Sequence, residues 1–275
     1  MSFKLNTAYY LSHNGLGDNI TSIGAINFLL KYYNVIYFLC KDIYKKNVEL
    51  LFLGKPVVIV DFPHNNEFAE TKRIISNAYY NDNNINIFIC GCHRTYINSY
   101  ITHPELLNRQ QDNTWKCDYE FIEKFYTCIN LDLSIYYNYF NIPSNEMSIN
   151  CLKSVEMYKI IFCHTKGSDR EINIDKYINK YINDNDYICV CTNKNLYNVS
   201  NEKHKIANYY INLPIVHYID IIKKCERFFI INSCFSCIFY PLSKTKRLKA
   251  IEGYIITNKN DNYINEQEHD CLPLL

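Results

Sequence analysis

The strongest constraint on this chain is a succession of short apolar runs and amphipathic stretches that runs through once and then starts again. A short apolar run bounded by turn residues fits a strand buried on both faces, and apolar residues three and four apart fit a helix packed against it. Strands that alternate with helices form parallel sheets. In the first half, strands are expected at Thr7–Ser12, Val35–Cys40, Val57–Asp61 and Ile85–Cys90. Helices are expected at Ile20–Tyr33, Ile43–Phe52, Glu67–Tyr80, Pro104–Gln111 and Cys117–Asn130. In the second half, the expected strands are Tyr158–Cys163, Tyr187–Thr192, Lys205–Ile211, Phe228–Ile231 and Ala250–Thr257. The helices are Asp175–Asn183, Val216–Cys225 and Cys234–Leu242. Asn141–Asn150 holds Pro143, Ser144 and Asn145 without periodicity and reads as a linker, dividing the chain into domains 1–145 and 146–275. The expected fold class is α/β, two Rossmann-like domains facing across a cleft, with ligands at the carboxyl ends of the strands.

Composition narrows the function classes. With 275 residues, 48% apolar and 21% charged, the chain can bury a core and is not disordered. A formal charge of +1 removes the electrostatic case for nucleic acid as a partner. No apolar run approaches the ~18–20 residues of a membrane span. Met1-Ser2-Phe3-Lys4-Leu5-Asn6 does not resemble a secretory leader, so a cytoplasmic location is expected. Asn, Ile, Lys and Tyr, whose codons are A/T-rich, dominate; with 26 tyrosines, a single Tyr or Asn is weak evidence of purpose. Thirteen cysteines include Cys90-Gly91-Cys92, Cys189-Val190-Cys191 and a lone Cys234–Cys237 pair. That spacing supplies neither a disulfide framework nor paired zinc-binding elements; the expectation is reduced, packed thiols and no metal.

Three turns carry the polar residues that chemistry needs. His13-Asn14-Gly15-Leu16-Gly17-Asp18-Asn19 lies between the first strand and the first helix. Glycines there let backbone approach a ligand at a helix N-terminus. The third glycine of a dinucleotide fingerprint is absent, since Ile20 stands in its place, and no Gly-Lys-Ser/Thr follows. On position alone, Asp18 reads as an N-cap. His164-Thr165-Lys166-Gly167-Ser168-Asp169-Arg170 again follows a strand. Its hydroxyls and cations suit a pyrophosphate, and they equally suit a solvated turn. Asn232-Ser233-Cys234 ends the most apolar strand, where a following helix start would attract an anion or simply be capped. Asn193 ends another strand and is a candidate nucleoside contact. Cys92-His93-Arg94-Thr95-Tyr96 is a candidate acceptor-side lining, and Asp184-Asn185-Asp186, which precedes a strand, reads as a turn rather than a metal motif.

These residues resemble GT-B-type glycosyltransferases of the heptosyltransferase-like group, whose relatives come from bacterial surface-polysaccharide loci and large DNA viruses. His13–Asn19 is similar to their first-loop motif. Phe125-Tyr126, Leu131-Asp132 and Tyr137–Pro143 resemble the segment that closes the first domain. His164 with Ser168 and Arg170 is similar to the loop that opens the second, and Leu213–Ser236 to the helix–strand–turn run near the C-terminus. Asn232 and Cys234 depart from the Asp and Ser common there. The resemblance implies transfer of a sugar from a nucleotide-sugar donor to a glycan or glycoconjugate hydroxyl, inverting, with no metal and no further cofactor; a UDP-sugar is the first guess. It implies donor binding by Gly15, Gly17, His164, Thr165, Lys166, Ser168, Arg170, Asn193, Asn232, Ser233 and Cys234. It makes Asp18 the candidate base, alone or while also capping the helix, with His13 as the fallback. A nucleotide-sugar epimerase and an inactive nucleotide-sugar-binding module are the alternatives.

Overall fold

Parallel strands need crossover connections of a dozen or more residues, usually helices, and apolar strands separated by helices supply them. Every strand pair in the computed structural model is parallel. The structure describes residues 5–12, 15–81, 85–90, 118–168 and 170–256. The chain divides into two compact units, Met1–Ile142 and Pro143–Leu275.

Unit 1 contains β1 (Leu5–Leu11), β2 (Tyr33–Lys41), β3 (Val57–Phe62) and β4 (Asn86–Ile89), in the order β3-β2-β1-β4. Between β1 and β2 the expected helix is two helices, α1 (Leu16–Thr21) and α2 (Ile23–Leu29). Its apolar stripe is right, since Ile20, Ile23, Ile26 and Leu29 are all buried. The break has a visible cause. In a continuous helix the Ala25 N–H would bond the Thr21 carbonyl. Here the Tyr126 hydroxyl stands between them, accepting from Ala25 N–H at 3.1 Å and donating to Thr21 C=O at 2.7 Å. A side chain inserted into the hydrogen-bond ladder is an established source of helix kinks. Gly24 makes room for it: a Cβ there would sit 2.7 Å from the Tyr126 hydroxyl and 2.8 Å from the Ile135 carbonyl. Tyr126 comes from α5 (Asp118–Thr127), the counterpart of the expected Cys117–Asn130 helix, and Ile135 from α6 (Ser134–Tyr139). The remaining helices, α3 (Lys45–Leu51, after a 3-10 turn at Asp42–Tyr44) and α4 (Glu67–Asn81), lie close to expectation. The Pro104–Gln111 helix lies outside the described residues.

The stretch read as a linker is only partly one. Asn145 caps α7 (Glu146–Lys153): its side chain accepts from Ser148 N–H, and Ser148 Oγ accepts from Asn145 N–H. This is a capping box with serine in the place usually held by Glu or Gln. Asp220 then accepts from Ser144 at 2.6 Å and Ser148 at 2.5 Å, tying this segment into unit 2.

Unit 2 contains β5 (Lys159–His164), β6 (Tyr187–Cys191), β7 (Arg227–Ile231) and β8 (Glu252–Ile256), in the order β6-β5-β7-β8. Its helices are α8 (Asp175–Ile182), α9 (Lys203–Tyr209), α10 (Ile219–Lys224, after a 3-10 turn at Ile215–Tyr218) and α11 (Ser236–Lys244). The strand expected at Lys205–Ile211 is therefore corrected to a helix. Lys203 and Ala207, with Tyr210 just past its end, form its buried stripe, and Lys203 Nζ donates to the Asp184 and Tyr187 carbonyls at 2.6 and 2.8 Å. Phe162, Phe228 and Phe239 fill the core, and β8 approaches so closely that a Cβ at Gly253 would lie 2.0 Å from the Phe228 ring.

Ten cysteines are described, all free; eight are buried, while Cys234 and Cys237 are half-buried. Among the described residues no three His, Cys, Asp or Glu side chains are grouped to hold a metal ion. No helix there is long and apolar enough to cross a membrane.

Candidate functional site

In an open α/β sheet, ligands settle outside the carboxyl ends of the strands where the strand order reverses. In unit 1 that place is between β1 and β4; in unit 2 it is between β5 and β7. The turns singled out by sequence follow β1, β5 and β7, so each unit has its polar turns at its own reversal point.

In unit 1, β1 runs into Ser12, whose hydroxyl donates to the Asn19 side chain, both groups being buried. Gly15 caps α1 with an extended backbone, φ −99°. Its lack of a side chain therefore serves space and not a left-handed turn: a Cβ there would stand 3.0 Å from Asp18 Oδ2. That oxygen accepts the Gly15 N–H at 2.6 Å. Asp18 is thus at the third position of the helix, reaching back to Gly15, and is not itself the N-cap. Gly17 lies inside the first turn, where its carbonyl accepts from the Thr21 hydroxyl at 3.0 Å. Asp18 is half-buried. His13 and the Cys92–Tyr96 stretch lie outside the described residues.

In unit 2, the turn after β5 does not run into a helix but folds back as a tight hairpin. Ile172 N–H bonds the Thr165 carbonyl at 2.8 Å, Lys166 and Glu171 form an antiparallel bridge, and Gly167 N–H bonds the Arg170 carbonyl at 2.8 Å. Lys166 and Ser168 are exposed near its tip, and Arg170 is half-buried. Thr165 and Asn193 hold each other: Asn193 Oδ1 accepts the Thr165 N–H and Asn193 Nδ2 donates to the Thr165 hydroxyl, each at 2.9 Å. Thr165 also donates to Glu171, which pairs with Lys194 at 2.8 Å. That cation holds the Glu171 carboxyl below its ordinary range. The bonds made by Thr165 and Asn193 shape the hairpin, while Lys166, Ser168 and Arg170 are the groups it presents.

His164 is buried at the end of β5, its Nδ1 at 2.5 Å from the Thr192 hydroxyl. Burial pushes its pKa down to about 4, against a weaker opposing effect of a bond to the Lys166 backbone, so the ring is neutral near pH 7. Its centroid is 4.6 Å from that of Phe235.

After β7, Asn232 accepts from the Ser236 hydroxyl at 2.7 Å and Ser233 presents a half-buried turn. The helix expected from Cys234 begins at Ser236, with Phe235 at its cap. Its early amides are met locally, Ser236 N–H by Ser233 and Ile238 and Phe239 N–H by Phe235. Burial raises the Cys234 thiol to about 11, which leaves it protonated. Asp184–Asp186 is a turn, with Asp186 N–H bonded to Asp184 Oδ1 at 2.9 Å. Sequence reasoning missed Glu171 and Phe235. Glu171 lies outside the motifs, and Phe235 lies inside the Ile231–Ser236 run without a role assigned to it; each is recruited by a fold-back or a ring contact that spacing does not encode.

No family model matches the chain, and no curated protein matches it by sequence. Solved structures do. A glycosyl transferase family 9 protein from Veillonella parvula superposes with a TM-score of 0.56 at 8% identity, over 88% of this chain and 80% of that one. The ADP-heptose lps heptosyltransferase II of E. coli superposes with a TM-score of 0.54 at 9% identity, over 87% and 82%. The chain has the fold of these two proteins: GT-B-type, two Rossmann-like α/β units in tandem.

Proposed function

We propose that this protein is a glycosyltransferase that moves a sugar from a nucleotide-sugar donor to a hydroxyl of a glycan or glycoconjugate, with inversion and without a bound metal. The observation that carries this reading is the coincidence, in each unit, of the polar turns with the strand-order reversal, on a fold shared with two glycosyltransferases. In unit 2, Lys166 and Arg170 would offset the charge that develops on the departing nucleoside diphosphate, with Ser168 and the Asn232–Ser233 turn as hydrogen-bonding partners. In unit 1, Asp18 would take the acceptor proton. With Oδ2 held by Gly15 N–H, that proton would go to Oδ1. An ordinary carboxylate, of pKa ~3.9, is a weak base toward an alcohol. Transfer late in the attack, once the alcohol oxygen has become acidic, removes most of that mismatch.

The test is binding followed by turnover. Thermal shift and calorimetry with UDP, ADP, GDP and dTDP should reveal one that binds without added Mg²⁺. Asp18→Asn should retain that binding and abolish transfer, because the amide oxygen can still accept from Gly15 N–H but cannot take a proton. Absence of binding by all four nucleotides would remove the proposal.

A further inference from the structure

Three segments meet at the carboxyl ends of the unit 2 strands: the hairpin after β5, the end of β6 at Thr192–Asn193, and the turn from β7 into α11. One side chain touches all three. We infer that His164 is the positioning residue of these segments, holding the hairpin that presents Lys166, Ser168 and Arg170 in register with the ends of β6 and β7. The inference rests on the donor-binding reading of that hairpin and adds to it the device that keeps the hairpin in place.

His164 Nδ1 bonds the Thr192 hydroxyl, and the ring bonds the backbone of Lys166, the second residue beyond β5. Its ring packs against Phe235 with the two planes tilted by 54°, between the Asn232–Ser233 turn and α11. Phe235 is itself packed by Phe162 and Tyr218, with centroids at 5.2 and 5.6 Å, so it gives the ring a firm seat. Thr165 and Asn193 make a second link between the same two segments. The geometry explains why a histidine stands here. A phenyl ring would reproduce the seat on Phe235 but bond neither neighbour, whereas an aliphatic polar side chain would bond Thr192 but lose the seat. A ring held by its polar edge and by its packing against Phe235 acts through the hairpin, not on a substrate directly.

A mutant cycle read by amide exchange and by nucleotide affinity tests this. The exchange reporters are Gly167 and Ile172, whose N–H groups close the hairpin. His164→Phe should speed exchange at both by tenfold or more and weaken by tenfold or more the binding of whichever of UDP, ADP, GDP and dTDP the wild type binds. His164→Asn, which can still bond Thr192 from the Nδ1 position but has no ring to seat on Phe235, should recover part of both losses. Thr192→Val should also speed exchange, and the double variant should be no worse than the larger single, because both remove the same bond. If His164→Phe does not fold, Thr192→Val and His164→Asn decide by the same readouts. Unchanged exchange at Gly167 and Ile172, or fully additive effects, would overturn the inference. A wild type that binds none of the four nucleotides would sink the donor reading alone, while the exchange cycle would still decide the role of His164.

Discussion

Replacing Tyr126 with Phe removes one oxygen and should cost more than an oxygen usually does. That hydroxyl stands in for a helix bond, serving the Thr21 carbonyl and the Ala25 amide at once, and all three residues are fully buried. Each backbone group left without a partner costs about 1–3 kcal/mol. The upper limit, both groups stranded, is about 6 kcal/mol. Relief is available if α1 and α2 close up so that Ala25 bonds Thr21 directly, but closing would shift α1 relative to β1 and disturb the packing around Gly24. A net loss of about 1–3 kcal/mol is expected. Urea unfolding would measure it, and amide exchange at Ala25 would show which route the chain takes: faster exchange if the groups are stranded, retained protection with a moved α1 if they join. The reasoning fails if the variant stays within about 0.5 kcal/mol of wild type and Ala25 remains protected with α1 unmoved. Because Asp18 rides on α1, the second route also predicts lower transfer activity from a residue that never meets substrate.

Two other outcomes follow from the same coordinates. His164 has an ordinary pKa of 6.5 that burial lowers to about 4. Between those values the unfolded chain binds the extra proton and the folded one does not, so stability falls as pH drops through this window. The loss attributable to His164 between pH 7.5 and pH 4.5 is about 2.5 kcal/mol. His164→Asn cannot titrate, so its urea midpoint should fall less over that interval, and parallel curves would contradict the assignment. Gly253→Ala places a methyl against the Phe228 ring, at a buried contact between β7 and β8. Overpacking of this kind costs about 1–3 kcal/mol, readable as a lower thermal midpoint, and an unchanged midpoint would mean that β8 is not held as described.

The apolar runs made the strands legible, since burial on both faces leaves an unbroken signal. What escaped the sequence has specific causes. Tyr126 lies a hundred residues from the bond it replaces, so the break at Ser22 left no trace in a helical stripe that is correct. The α9 helix was missed because one of its anchors is Lys203, a charged residue that caps carbonyls in the interior; without it, what remains is a short apolar run, which fits a strand as well as a helix. Ser148 hid the start of α7 by filling a position where Glu or Gln is the usual sign. At the candidate site, the three turns were visible as polar interruptions after apolar runs. Backbone bonds decided the rest: the hairpin from Thr165 to Ile172 is closed by amides and carbonyls, which every residue carries. Asp18 was recognisable as a capping group, but its place in the cap depends on Gly15 leaving the space beside it.

The two strand orders also bear on how the protein is made. In each unit the strand that leaves the ribosome first, β1 or β5, ends at the centre of its sheet, bonded on both sides. The partner on one side, β2 or β6, follows within some thirty residues, but the other edge waits much longer, until β4 or β7 is synthesised. Nascent intermediates in both units therefore expose the open edge of their most central strand, where unpaired backbone can recruit a neighbouring chain. Truncations after β3 or β6 should consequently be poorly soluble, and stop codons placed after β4 and β7 should mark where that hazard ends.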